Sequence, residues 1–267
     1  MKNLIIYFSS TGNSFFAARY LTEHLDDCVA IPITKLDSNI DTGSYASIGF
    51  VFPTYFFSIP KFFAQGIKRL DLNKDSFIYG ITTCNGFSGN TGHQLKMLLG
   101  SKGCELSFFR VLSMPGNYIF EYSPPAEGVI NKKIIASEKK LAGIVSMINE
   151  RNSGPIKKRY ALISTLFFSF MYSRQHKWHE KFHVNPKCKS CGLCEMLCQF
   201  NNITADNGKP RWGNHCEYCV ACIQLCPSHA IEYGNRTKKR KRYVNPRVQV
   251  KDLIQTESCK MNVFSLS

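Results

Sequence analysis

Eight of the twelve cysteines fall in two runs of the same spacing, and nothing else in the chain constrains it as tightly. Cys188, Cys191, Cys194 and Cys198 read C-x2-C-x2-C-x3-C, and Cys216, Cys219, Cys222 and Cys226 repeat it. Each run places three thiolates on a tight loop and a fourth at the start of the next segment. A 4Fe–4S cubane needs four thiolates around its irons, and in this spacing the fourth comes from the other run. One cluster would therefore take Cys188, Cys191, Cys194 and Cys226, and the other Cys216, Cys219, Cys222 and Cys198. Pro227 follows Cys226 as the pattern expects, whereas Gln199 stands where a proline would follow Cys198. The competing reading is a pair of structural zinc sites. Zinc ribbons use two C-x2-C pairs, four cysteines in all, and leave no role for a third cysteine in each run. The other four thiols, Cys28, Cys84, Cys104 and Cys259, are scattered and read as buried or incidental, with Cys84 set apart by its place in a loop described below.

Clustered thiols of this kind belong in a reducing compartment. The apolar run Leu4–Phe8 is too short for a signal peptide, so a cytoplasmic location is expected. The longest apolar stretch, Tyr160 to Tyr172, falls short of the roughly 20 residues that span a bilayer. It reads as a buried segment or, with Lys157, Lys158, Arg159, Arg174 and Lys177 around it, as one lying on a membrane surface. The 34 Lys+Arg against 19 Asp+Glu give a net charge of +15, which attracts an acidic partner. The block Lys238–Arg242 could dock an acidic redox carrier such as a ferredoxin or flavodoxin, or be a solvated charge run. No nucleic-acid module accompanies it.

Residues 1–151 alternate between strand-like and helix-like stretches. Strands are expected at Asn3–Phe8, Val29–Ile33, Ala46–Phe52, Phe77–Thr82 and Leu106–Leu112. Helices are expected at Asn13–Leu25, Ile59–Leu70 (Pro60 in its first turn), His93–Leu99 and Val129–Ile148, the last with Ile130, Ile134, Leu141, Val145 and Ile148 on its stripe. That alternation argues for an α/β fold with a doubly wound parallel sheet. Residues 152–181 read as a linker holding the hydrophobic segment, 182–235 as a small cysteine-rich α+β domain, and 236–267 as a basic tail.

The first strand runs into a helix through Ser9-Ser10-Thr11-Gly12-Asn13-Ser14. Small hydroxyl residues, a permissive glycine and a helix N-terminus suit a phosphate, although an ordinary capped turn looks similar. In such sheets ligands sit at the carboxyl ends of the strands. The third strand ends at Pro53-Thr54-Tyr55 and the fourth at Thr83-Cys84-Asn85-Gly86-Phe87, which pair aromatics with flexible glycines as a flat ring system requires. Together these residues resemble the flavodoxin family over about 1–150. The resemblance implies a five-stranded sheet of order 2-1-3-4-5, with FMN at its switch point and ring contacts from Tyr55 and the third loop. Met114-Pro115-Gly116-Asn117-Tyr118 fits the same family. Residues 182–234 resemble the bacterial two-cluster ferredoxin. The whole is similar to flavodoxin–ferredoxin fusion proteins of anaerobic microbes.

The expected function is an electron-transfer iron–sulfur flavoprotein, relaying electrons between two 4Fe–4S clusters and FMN and exchanging them with an external redox carrier. One alternative is a flavin-dependent reductase of a small molecule such as a quinone. The other is a non-redox binding module with structural clusters. No residue stands out as a general acid or base; His93 is nearest to the loops.

Overall fold

A computed structural model describes residues 2–36, 40–156, 170 and 179–254. The Tyr160–Tyr172 stretch, apart from Phe170, lies outside the described residues, as do Cys259 and the end of the chain. The chain forms two compact units. The first holds residues 1–9, 13–115 and 127–168; the second holds 10–12, 116–126 and 169–267.

The first unit alternates strands β1 (Asn3–Tyr7), β2 (Cys28–Pro32), β3 (Ser47–Pro53), β4 (Phe77–Cys84) and β5 (Leu106–Ser113) with helices. The helices are α1 (Asn13–His24), α2 (Lys61–Arg69), α3 (Thr91–Gly100) and α4 (Glu127–Asn149). All five strands are parallel, in the order β2-β1-β3-β4-β5. This is the flavodoxin-like α/β fold. Parallel strands joined by helices are covered on both faces, so the central ones must be apolar throughout. Leu4, Ile5 and Ile6 of β1 and Ile48, Phe50, Val51 and Phe52 of β3 are accordingly fully buried. Helices α1 and α4 pack together, as do α2 and α3. Phe63 of α2 lies on Phe52 of β3 with ring centroids 4.9 Å apart.

Helix α4 differs in detail from its expected stripe. Its buried residues are Ile134, Ser137, Leu141, Ile144 and Ile148, while Ile130 and Val145 are only half-buried. Spacings of three and four favour this row, and Ser137 earns its place by donating to the Ser113 carbonyl at 3.3 Å. Pro60 stands just before α2 rather than inside it.

The second unit is built on a small aromatic core. Strands β6 (Phe182–Val184) and β9 (Ile231–Tyr233) pair antiparallel, and β7 (Ile203–Asp206) and β8 (Lys209–Trp212) form a hairpin. The hairpin turns through Asn207 and Gly208, both left-handed, as a tight two-residue turn demands. Short helices α5 (Leu193–Met196) and α6 (Ala221–Gln224) each sit inside a cysteine run. Phe182 stacks on Trp212 at 5.3 Å. Phe120, from far upstream, packs on Tyr233 at 4.3 Å.

The segment read as a tail from 236 is, as far as Ile254, part of this unit. Thr237, Tyr243, Asn245, Val248 and Leu253 are buried. The basic block divides in two. Arg242 forms a buried ion pair with Glu232 at 3.0 Å, and Arg240 donates to the Ile119 carbonyl at 2.5 Å. Lys238, Lys239 and Lys241 stay exposed. Among the described residues no helix is long and apolar enough to cross a membrane.

Candidate functional site

The two cysteine runs fold alike, down to their least favourable backbone angles. Ser190 and Tyr218, each two residues past the first cysteine, are left-handed at φ +53°. Gly192 and Val220, each just past the second cysteine, are left-handed at +73° and +62°. Asn201 and His229, three residues past each fourth cysteine, both stand at +49°. A β-branched valine in that region is strained, and such strain persists where the surroundings impose it. The first three cysteines of each run line one cavity.

Two cavities result. The first is lined by Cys188, Cys191, Cys194 and Cys226 together with Ala205, Gly208, Pro210 and Ile231. The second is lined by Cys198, Cys216, Cys219 and Cys222 with Phe182, Leu197, Trp212 and Val220. Each set joins three cysteines of one run to the fourth of the other. The fourth cysteines are oriented alike: the Asn202 N–H lies 3.2 Å from the Cys198 sulfur and the Ala230 N–H 3.3 Å from that of Cys226.

Proton affinities follow the same grouping. Burial pushes the Cys194 thiol up to about 11, helped by Cys226 and Cys191 beside it. Burial pushes Cys216 up to about 12, with Cys198 adding to the rise. Cys219 and Cys222 rise further for the same reasons. Cys226 lies below the ordinary value. Burial is the largest influence on it and acts upward, but the Ser228 hydroxyl and the N–H groups of Ala230, Ser228 and Ile231 together outweigh it. Four thiolates so close, in apolar surroundings, need a polycationic core to hold them ionised. The two four-cysteine donor sets and their apolar linings fit an iron–sulfur cluster in each cavity.

The three loops expected to hold a flavin all lie at the carboxyl ends of their strands. Ser9, Ser10, Thr11, Asn13 and Ser14 are buried. Ser14 and Thr83 hydroxyls are hydrogen-bonded at 2.8 Å, linking the first loop to the third, and Asn13 donates to the Pro115 carbonyl at 3.3 Å. The loop apex, Ser10–Gly12, groups with the second unit. There the Asn245 N–H donates to the Thr11 carbonyl at 2.9 Å, and the Asn117 amide donates to the Thr11 hydroxyl. Gly12 has φ +97°, and a Cβ on it would stand 2.9 Å from that of Asn245, so glycine is required on both counts. The N–H groups of Ser10 and Thr11 are given to no backbone carbonyl among the described residues. Leftover donors at the head of a twelve-residue helix fit a phosphate.

In the second loop Thr54 bonds Thr82 through their hydroxyls at 2.9 Å, and Tyr55 pairs with Ser58 across a tight turn through Phe56 and Phe57. Pro53 and Tyr55 are half-buried. In the third loop Asn85, Gly86 and Phe87 are exposed, and Lys133 of α4 donates to the Asn85 side-chain amide oxygen Oδ1 at 2.6 Å. Burial pushes the Cys84 thiol up to about 11, with the Gly86 N–H and Lys133 pulling against it. Phe57, which the sequence reading passed over, meets Phe87 with ring centroids 5.4 Å apart, both rings more than a third exposed. The signal was the adjacent aromatic triplet Tyr55-Phe56-Phe57.

No protein-family model matches the chain. No curated protein matches it. Solved structures do. A rubredoxin oxygen:oxidoreductase from Desulfovibrio gigas is similar over 56% of this chain at 15% identity and a TM-score of 0.41, and the chain spans 35% of its length. An archaeal flavodoxin is similar over 56% of this chain and 99% of its own, at 12% identity and a TM-score of 0.39. A flavodoxin variant from Pseudomonas aeruginosa is similar over the same shares, at 17% identity and a TM-score of 0.38.

Proposed function

We propose that the chain is an electron-transfer iron–sulfur flavoprotein that relays electrons between two 4Fe–4S clusters and FMN and exchanges them with an external carrier. The observation that carries this reading is the division of eight cysteines between two cavities, three from one run and one from the other in each. FMN would supply transfer of electrons in pairs or singly, and the clusters transfer singly, so the pair converts between the two.

The chain's own residues would do the binding and orienting. Cys188, Cys191, Cys194 and Cys226 would ligate one cluster, and Cys216, Cys219, Cys222 and Cys198 the other. Ser9–Ser14 would hold the FMN phosphate with the N–H groups of Ser10 and Thr11 and the field of α1. Pro53, Thr54, Tyr55 and the loop Thr83–Phe87 would border the ring. Trp212, Phe182 and Leu197 line the second cavity and would border the cluster there.

The test is anaerobic rapid mixing with a reductant that reduces the clusters. Flavin bleaching that follows cluster bleaching within milliseconds to seconds supports the relay. Flavin that stays oxidised beside reduced clusters refutes it. A second reading, reduction of a small molecule such as a quinone at the flavin, draws on the exposed pair Phe57 and Phe87, which would offer an apolar aromatic surface to such a substrate. Steady turnover of quinones with reduced viologen as donor would favour it. Clusters that cannot be reduced at all would point to a binding module instead.

A further inference from the structure

We propose that electrons cross to the external carrier at the cavity of Cys188, Cys191, Cys194 and Cys226, and that the lysines at its mouth dock an acidic ferredoxin-like protein. This rests on the reading above and adds to it a port and the kind of partner the port fits.

The two cavities are not equivalent. Cys191 is exposed, whereas none of the four cysteines at the other cavity is, and Cys222 there is buried. Electron transfer slows steeply with the thickness of intervening protein, so the cavity that reaches the surface is the port.

The mouth is basic. Lys187 and Lys189 flank Cys188 and are exposed, and Lys189 lines the cavity. Lys209 is exposed on the β7–β8 hairpin, whose Gly208 lines the same cavity. Among the described residues none of these three ammonium groups takes part in an ion pair. The nearby Arg211, by contrast, is spent on Asp206. Glu195 is the carboxylate in the cavity wall, leaving a clear positive excess. Pro227, exposed and in the cavity lining, adds a small apolar surface. A surface of this kind steers an acidic partner and excludes a basic one. The basic block at 238–242 is the weaker candidate, because Arg240 and Arg242 are committed inside the unit.

The experiment uses the full chain loaded with clusters and an acidic bacterial two-cluster ferredoxin, chemically reduced, as the probe. Stopped-flow gives the second-order rate of cluster reduction at low and high ionic strength. The double variant Lys187→Glu/Lys189→Glu is expected to slow that rate about tenfold at low salt and to flatten its salt dependence. Lys209→Glu, away from the ligand loop, should slow it severalfold and guards against a variant that fails to assemble. Lys238→Glu/Lys239→Glu should stay within twofold of the parent, and dithionite should reduce all of them alike. A parent rate indifferent to salt, or a larger effect at Lys238 and Lys239 than at Lys187 and Lys189, overturns the docking surface while leaving the relay intact. Protein that takes up no iron overturns both.

Discussion

Replacing Arg242 by methionine separates the structural half of the basic block from the solvated half. The Arg242 guanidinium lies 3.0 Å from a Glu232 carboxylate oxygen and donates to the carbonyls of Ile231 at 3.0 Å and Thr237 at 3.4 Å. Both side chains of the pair are over nine-tenths buried, at 6% and 7% exposure. Methionine fills much of the volume but, among the described residues, leaves the Thr237 hydroxyl as the hydrogen-bond donor to the Glu232 carboxylate. Removing one member of a buried pair costs about 3–5 kcal/mol. In a unit of about 100 residues each kcal/mol moves the midpoint by about 4–8 °C, so Arg242→Met should lower Tm by at least about 12 °C. Lys238→Met, on an exposed side chain, should stay within about 0.5 kcal/mol. The double variant Glu232→Gln/Arg242→Met should recover part of the loss, because no charge is then stranded. Thermal unfolding followed by cluster absorbance and circular dichroism measures all three. Equal shifts for Arg242→Met and Lys238→Met would refute the division of the block.

Cys226→Ser should abolish the cluster of Cys188, Cys191 and Cys194 and spare the other, and Cys198→Ser should do the reverse; iron content falling by about half in each, with complementary paramagnetic spectra, checks the crossed sets. Gly89→Ala would place a Cβ 2.2 Å from the Phe57 carbonyl oxygen at a φ of +59°, so it should displace the second and third loops together and weaken FMN binding about tenfold or more in a fluorescence titration. Because the Cys84 thiol is pushed up to about 11, iodoacetamide should modify it slowly at pH 8 and about tenfold faster per pH unit until about 11; rapid modification at pH 7 would contradict its burial. Burial also pushes Cys28 up to about 12, so the folded state holds that proton more tightly than the unfolded one. Its contribution to stability is present below the unfolded thiol's value near 8.5 and is lost as pH rises toward 12; Cys28→Ala should blunt the alkaline loss in urea titrations.

The first unit was legible because its signal is local. Apolar runs at Asn3–Tyr7, Ser47–Pro53 and Phe77–Cys84 can be buried on both faces only in a parallel sheet, and the strand limits differ from expectation by one or two residues. The repeated cysteine spacing was equally visible in the sequence, since it too is a local pattern. The remainder depends on contacts distant in sequence. Nothing in Tyr118-Ile119-Phe120 announces that it packs against Phe182, Tyr218 and Tyr233, more than sixty residues on. Nothing in Lys238-Lys239-Arg240-Lys241-Arg242 tells which arginine meets a buried carboxylate. The closure of Asn245 and Val248 on Gly12 joins opposite ends of the chain, and no periodicity carries that information.

The measurement that tests the central claim most directly is the iron, acid-labile sulfide and flavin content of protein purified without oxygen and supplied with FMN. About eight irons, matching sulfide and one FMN per chain are the predicted result. Zinc in place of iron, or full iron with no FMN taken up, would contradict it.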